Sequence, residues 1–319
     1  MNSLKYPIKL SQLLYSSLRR AKDLVRGYYP EAFGYLILRL ISRNPKSFQE
    51  KILYKMAHDR RPIITTYADK VIVREYVKEK IGEEYLIPLH GIYQNISKIS
   101  LSDIPENCVI KPSHGSGAIL ILSTRVNNYR QLLSAQKVDY WKRFEVTKSL
   151  ISEPELKSLL QNWLDTSYHN GFGHFPEYAY KDIVPKIIVE DLLVTGNEIA
   201  SDYRFFIFNG ICEYIEVDKS WNDKPSRDMF DTNWNQVEVQ LKYARAAITP
   251  SRPPDLELMI KLAEKLADGI DHVRVDFYLI GNKIYFGEMT NYHTSGKQTF
   301  HPVRFNFQFG KSWDPTKYY

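Results

Sequence analysis

The sequence predicts an α+β fold, and three observations carry that prediction. Short β-like runs recur between residues 85 and 287, several of them adjacent in pairs. Helical stretches at about 127–137, 154–166 and 255–268 interrupt those runs without alternating strictly with them. The turn Asn209-Gly210 inside YRFFIFNGICEYIEV marks an antiparallel hairpin, because both residue types accept positive φ. Adjacent hairpins mixed with helices separate this class from a doubly wound parallel sheet.

Along the chain, residues 8–26 place Leu10, Leu13, Leu14, Leu18 and Val25 at helical spacing among Arg19, Arg20, Lys22 and Arg26. Residues 31–57 continue helically, with a break at Asn44-Pro45. A helix is expected from Ala68 to Ile81, closed by Gly82. The predicted strands are Tyr85–Leu89, Cys108–Lys111, Ile119–Leu122, Ile187–Leu193, Arg204–Phe208, Ile211–Val217, His272–Leu279 and Lys283–Gly287. The helix at 255–268 opens on Pro253-Pro254-Asp255 and is amphipathic through Leu258, Ile260, Leu262 and Leu266.

Charge divides the chain unevenly. The net charge is +6, but residues 1–61 carry 13 basic against 4 acidic side chains, so the remainder is close to neutral. A uniformly nucleic-acid-binding surface is thereby disfavoured, and no nucleic-acid partner is expected. The basic stretch reads either as a solvated helical subdomain or as a helix pair resting on an anionic glycan or membrane surface. The only cysteines, Cys108 and Cys212, lie in apolar runs, which argues against a disulfide-stapled secreted domain and for a cytoplasmic setting. The run Phe33–Ile41 is interrupted by Arg39 and too short to span a bilayer, and a signal-peptide layout is not seen. The oligomeric state stays open.

Three segments carry candidate chemistry. In CVIKPSHGSGAILIL a β-run delivers Lys111 to a loop of Pro112, Ser113, His114, Gly115, Ser116 and Gly117, where backbone N–H groups can approach an anion. It is not a Walker A loop, since no Lys-Ser/Thr pair follows the glycines; a plain tight hairpin is the competing reading. In PKIIVEDLLVTGNEIASDYRFFIF, Lys186 opens an apolar strand ending on Glu190 and Asp191, followed by Leu192 and Leu193. Such a strand end suits an adenine ring, with Glu198 downstream for ribose hydroxyls; an edge strand with solvated acids would read the same way. In HVRVDFYLIGNKIYFGEMTNYHTSG two strands joined at Gly281-Asn282 put Asp276 and Glu288 on neighbouring rungs, with Arg274 on the same face as Asp276. Acids inside apolar strands are costly unless paired or on a metal, and two hard carboxylates beside a phosphate loop suit Mg²⁺. A structural Arg-Asp pair would explain the same residues. Asp69, Lys70 and Arg74 form a helical face that reads as surface ion pairs or as contacts to acceptor or phosphate. Trp221 and Trp234 follow the hairpin and could line a sugar cleft or simply pack.

Together, ADKVIVREYVKEKIGEEYLIPLHGIY, VIKPSHGSG, PKIIVEDLL, DYRFFIFNG and RVDFYLIGNKIYFGEMT with a later SG resemble the TupA-like ATP-grasp proteins of bacterial surface-polysaccharide gene clusters. The resemblance covers roughly residues 62–310. It implies an ATP-grasp fold, two α+β subdomains gripping ATP, with a helical extension over 1–61. The nucleotide-grasping subdomain would fall at about 105–195 and the metal-binding core at about 196–310. By resemblance, Lys111 and Arg274 act on the transferring phosphoryl group, and Gly115, Ser116 and Gly117, with His114, cover the phosphates. Lys186 is the second nucleotide lysine, Glu190 through Leu193 the adenine hinge, and Glu198 the ribose acid. Asp276 and Glu288 match Mg²⁺ carboxylates. The related ligases read Glu-x-Asn, whereas this chain reads Glu288-Met289-Thr290-Asn291, so Thr290 or Asn291 supplies the next metal-side group.

The resemblance implies ATP and Mg²⁺ as cofactors, and a ligase that joins a uronate-containing saccharide to an amino acid through an acyl phosphate. Peripheral contact with the inner membrane face is compatible with it. A glycosyltransferase is the competing enzyme class, and it would usually need an Asp-x-Asp pair, which is absent from the sequence. A kinase, or a non-catalytic glycan- or membrane-binding protein, would also be compatible with the sequence.

Overall fold

The computed structural model describes residues 31–124, 140–169, 175–196, 198–219 and 225–319. The described residues open with four helices, α1 (Glu31–Ile41), α2 (Phe48–His58), α3 (Ile63–Ala68) and α4 (Ile72–Lys80). Helix α2 starts on a reciprocal cap, in which Ser47 accepts from the Glu50 N–H while the Glu50 carboxylate accepts from the Ser47 N–H. The helix expected over 68–81 forms over Ile72–Lys80, and Ala68 instead ends the preceding helix. Asp69 separates the two because its carboxylate accepts from the backbone N–H groups of Val71 and Ile72 and caps the second helix.

Strands β1 (Leu89–Tyr93), β2 (Cys108–Pro112), β3 (Ile119–Leu122) and β4 (Arg143–Val146) precede helix α5 (Glu153–Leu164). Next come β5 (Ile187–Asp191), the small ribbon β6 (Val194–Thr195) and β7 (Glu198–Ile199), then β8 (Asp202–Phe208), β9 (Ile211–Asp218) and β10 (Arg227–Asp231). Helix α6 (Leu256–Leu266), strands β11 (His272–Ile280) and β12 (Lys283–Thr290), and helix α7 (Arg304–Phe309) complete the order. The strand expected at 85–89 begins only at Leu89, after a 3₁₀ turn at Glu83–Tyr85, because Pro88 cannot donate to a ladder. The helices expected at 8–26 and 127–137, and Trp221, lie outside the described residues.

Two five-stranded sheets result, one ordered β1-β5-β2-β3-β4 and the other β10-β9-β8-β11-β12. The first packs on α5 through Leu156, Leu159, Leu160 and Trp163. The second is covered on both faces, which explains the unbroken apolar run of β8. Phe205 and Ile207 face α6, while Phe206 and Phe208 face α2 and α7. The hairpin at Asn209-Gly210 forms as expected, with φ of 51° and 80°.

Two boundaries differ from the sequence reading. Phe48, Ile52 and Met56 of α2 share one core with Phe206, Phe208 and Trp313, so no break in packing separates residues 31–61 from the rest. The first sheet includes β1, so its subdomain begins before residue 105. The physical reason is the same: helices too short to bury their own apolar stripe take it from the nearest sheet.

Candidate active site

The hairpin β11–β12 pairs Asp276 with Glu288 on one rung, next to a register shift between Asp276 and Phe277. Arg274, two residues before Asp276 and so on the same face, closes the group. Its Nε and Nη2 donate to the two Asp276 oxygens at 2.7 and 2.6 Å, and Nη2 also donates to Glu288 at 2.7 Å. Its Nη1 donates to His293 Nδ1 at 2.9 Å, and the other ring nitrogen of His293 meets Gln298 Oε1 at 3.2 Å. His293 is thereby held neutral, with burial and then Arg274 driving its pKa down. Burial pushes the Asp276 carboxyl up to about 7, with Glu288 adding to that rise against the pull of Arg274. Burial acts the same way on Glu288, but Arg274 and Lys70 outweigh it and hold that carboxyl down to about 2.

Behind this group Arg204 of β8 donates to Glu216 at 2.9 Å, to Asp218 at 2.5 Å and to Asp202 at 2.8 Å. Its Nε lies 3.6 Å from Asp276, and Arg227 shares Glu216 and Asp218 from the next strand. Glu216 and Asp218 are fully buried, so the arginines are their compensation.

The facing wall comes from the first sheet and from the α3–α4 break. Lys111 Nζ lies 2.6 Å from one Glu190 oxygen, and Arg74 Nη1 lies 2.9 Å from the other. Arg74 also donates to the Ile87 carbonyl at 2.7 Å. The Lys70 backbone N–H donates to Ser113 O, and its ammonium donates to Gly115 O, which fastens the break to the glycine loop. Burial lowers the Lys70 pKa to about 8, against the opposing field of Glu288.

A polar cavity between the two walls is lined by Lys70, Arg74, Lys111, Tyr180, Glu190 and Glu288, among others. Lys111 and Glu190 also border an adjoining slot, whose walls include Val109, Ile119, Ile121, Leu192, Leu193 and Ile199. At its end the Asp191 N–H is taken by Pro88 O, the Asp191 carboxylate meets His90 Nε2 at 2.6 Å, and the Leu193 carbonyl accepts from Ala200. Among the described residues the Leu192 C=O and the Leu193 N–H have no partner, leaving one acceptor and one donor beside an apolar slot.

The remaining expected residues stand around this cleft. Gly115 packs so closely that a Cβ would lie 2.4 Å from Trp141 and 2.8 Å from Tyr168; Gly117 has φ of 93°. Trp141 Nε1 donates to Ser116 O at 2.8 Å. His114 is buried, with Nε2 donating to Thr166 O at 3.0 Å, and burial keeps it neutral. The Lys186 backbone is tied to Ser113 at both N–H and C=O, while its side chain does not line either cavity. Glu198 sits exposed on β7, next to the slot residue Ile199. Asn291 donates its Nδ2 to Ile64 O at 2.8 Å and leaves its buried Oδ1 without a hydrogen-bond partner among the described residues, while Thr290 Oγ1 lies 3.1 Å from Glu288. Trp234 stacks on Phe230 at 4.2 Å and donates to Pro250 O, so it packs into the protein.

Among the described residues there is no group of three or more His, Cys, Asp or Glu arranged as a metal site. A carboxylate pair completed by phosphate oxygens is nevertheless the donor set Mg²⁺ takes, and the rise of Asp276 marks a place where a further positive charge would be stabilising. The residues fit the ion.

The sequence model of the TupA-like ATPgrasp family matches residues 50–313. The chain belongs to the TupA-like ATP-grasp family. No curated protein matches it. Among solved structures, D-alanine–D-alanine ligase from Bacillus anthracis complexed with ATP is similar at 12% identity and a TM-score of 0.38, over 72% of this chain and 55% of that one. D-Alanine–D-alanine ligase from Helicobacter pylori shows 15% identity and a TM-score of 0.39, over 79% and 58%. N5-carboxyaminoimidazole ribonucleotide synthetase from Thermus thermophilus shows 10% and 0.36, over 71% and 45%. The chain therefore spans about half the length of these proteins. The family match begins inside α2, in keeping with the shared core described above.

In this TupA-like ATP-grasp chain, Arg204, His293 and Tyr180 carry no site role in the sequence reading, whereas Lys70 and Arg74, read either as surface ion pairs or as contacts to acceptor or phosphate, line the cleft. Arg204 carries the signal that drew attention to Arg274, a charge inside an apolar strand. His293 and Tyr180 carry none, because their roles follow from long-range packing. Among the described residues no helix is long and apolar enough to cross a membrane.

Proposed function

We propose that this protein is an ATP-dependent carboxylate–amine ligase that joins a uronic acid of a bacterial surface saccharide to an amino acid. The observation that carries the reading is the cleft itself. An apolar slot ending in one free acceptor and one free donor leads past Lys111 to the Arg274–Asp276–Glu288 group on the opposite sheet. That order suits a nucleotide with its base in the slot and its phosphates towards the carboxylates. Asp276 and Glu288 would hold Mg²⁺, which supplies charge neutralisation for the phosphates when bound.

The chain's own part is positioning and electrostatics. Lys111 and the 113–117 loop bind the phosphates, and Arg274 stabilises charge on the transferring phosphoryl group. A carboxylate oxygen attacks the γ-phosphorus, ADP leaves, and an acyl phosphate forms. The amine nitrogen then attacks the acyl carbon, phosphate leaves, and the nitrogen gives up its proton. The cytoplasmic setting, the polysaccharide role and contact of the basic N-terminal stretch with the inner membrane face belong to the same reading.

The test is ADP release measured over a panel of uronates and amino acids with Mg²⁺. Release that needs both substrates supports the ligase. Release with a uronate alone points to a kinase, and no ATP-dependent thermal shift at all points to a non-catalytic binder.

A further inference from the structure

We propose that Lys70 is the residue that receives the acceptor's carboxylate and holds it for attack on ATP. This assignment rests on the ligase reading and goes beyond it, since it narrows the Asp69, Lys70 and Arg74 face to one side chain and one group of the acceptor.

The argument begins with local structure. The Asp69 cap ends one helix and starts the next, so Lys70 sits at a kink, not along a solvated helical face. The kink is bolted to the loop by the Lys70 N–H bond to Ser113, and the side chain runs into the polar cavity. There it is half-buried, with the Gly115 carbonyl as its partner and no ion pair among the described residues. Arg74 and Lys111 differ, because both are ion-paired with Glu190. Glu288, across the cleft, is already bonded to Arg274. Glu288 acts on the ammonium through space but lies outside ion-pair distance, so an anionic ligand in the cavity would give Lys70 the direct partner that Arg74 and Lys111 already have.

Position decides which anion. Lys111 borders both the slot and the polar cavity, so it meets the phosphates of a nucleotide lying between them. Lys70 borders the polar cavity alone, beside Tyr180 and Glu288, one step beyond Lys111. A carboxylate held there faces the end of the phosphate chain and is the group that becomes the acyl phosphate. The ammonium stays charged next to both the carboxylate and the phosphorylated product, which a neutral side chain could not do.

The test uses the full chain with Mg²⁺ and a non-hydrolysable ATP analogue, titrated calorimetrically with D-glucuronate and D-galacturonate and with D-glucose as uncharged control. The wild type should bind a uronate and not glucose. Lys70→Met should weaken uronate binding by about tenfold or more, with analogue affinity and melting temperature nearly unchanged, and Lys70→Arg should recover part of the loss. Unaltered uronate binding in Lys70→Met overturns the assignment, and so does a comparable loss of analogue binding, which would place Lys70 on the nucleotide phosphates. A wild type that binds the analogue but neither uronate overturns the uronate reading and this assignment with it.

Discussion

Asp276 stands opposite Glu288 in the β11–β12 ladder, and a single nitrogen of Arg274 reaches both carboxylates. Two acids on one rung would repel, and the arginine makes their proximity tolerable. The arrangement keeps one carboxylate, Glu288, open to the cleft while Asp276 is buried beneath it. Each acid is thus needed for a different reason, one for reach and one for charge.

Asp276→Asn and Glu288→Gln are therefore expected to lower ATP turnover by at least about 100-fold, the scale of losing a main electrostatic group. Circular dichroism should be unchanged. Wild-type turnover in either variant would refute the metal assignment.

Arg204 is expected to matter for stability more than a single side chain beside a cleft ordinarily does. Arg204→Met removes the guanidinium that meets Asp202, Glu216 and Asp218, while Arg227 still meets Glu216 and Asp218. A loss of roughly 3–5 kcal/mol in urea unfolding is expected, as for other broken buried pairs. A change below about 1 kcal/mol would mean that the network relaxes into water.

The glycine loop offers a steric test. Gly115→Ala must push Trp141 or Tyr168 aside, since a Cβ would lie 2.4 Å from one and 2.8 Å from the other. Overpacking of this kind costs about 1–3 kcal/mol, so the melting temperature should fall and ATP affinity with it. Ser116→Ala keeps the carbonyl contact with Trp141, loses only the hydroxyl contact with Tyr168 and adds no bulk, so it serves as the comparison. Equal behaviour of the two variants would remove the steric explanation.

Glu177 supplies a pH prediction. It is buried, its carboxylate accepts from Ser295 Oγ at 2.6 Å, and burial raises its pKa from 4.5 to about 7 despite that bond. A carboxyl raised on folding binds more protons in the folded state between those values, so it costs stability as pH rises from about 4.5 to 7 and levels off above. Glu177→Gln should narrow the difference between melting temperatures at pH 5 and pH 8. An unchanged difference would show that Glu177 is ionised throughout.

Deletion of residues 1–61 should abolish folding, not merely weaken surface binding, because it removes Phe48, Ile52 and Met56 from the core. Phe48→Ala should cost about 3–5 kcal/mol, since its ring meets Phe206, Phe208, Phe309 and Trp313. A folded, ATP-binding 62–319 fragment would restore the boundary read from charge.

The sequence by itself determined the α+β class, the Asn209-Gly210 hairpin and the nearness of Asp276 and Glu288 on one hairpin, because each depends on residues close together along the chain, though the two acids share a rung instead of lying on neighbouring ones. Turn chemistry and the two-residue period of strands are local, and so they are legible. The helix expected over 68–81 starts four residues late for an equally local reason, the competition of the Asp69 side chain for backbone N–H groups, which a pattern of apolar residues does not register. Only the tertiary structure decided that Lys70 and Arg74 turn from a helical face into the cleft, that His293 fixes Arg274, and that the Asn291 amide nitrogen is held by the Ile64 carbonyl. It also moved the N-terminal helices from an appendage to a wall of the core. Those outcomes depend on which surfaces meet across separations from 19 to 227 residues, where burial and ion pairing are settled by packing and not by sequence spacing.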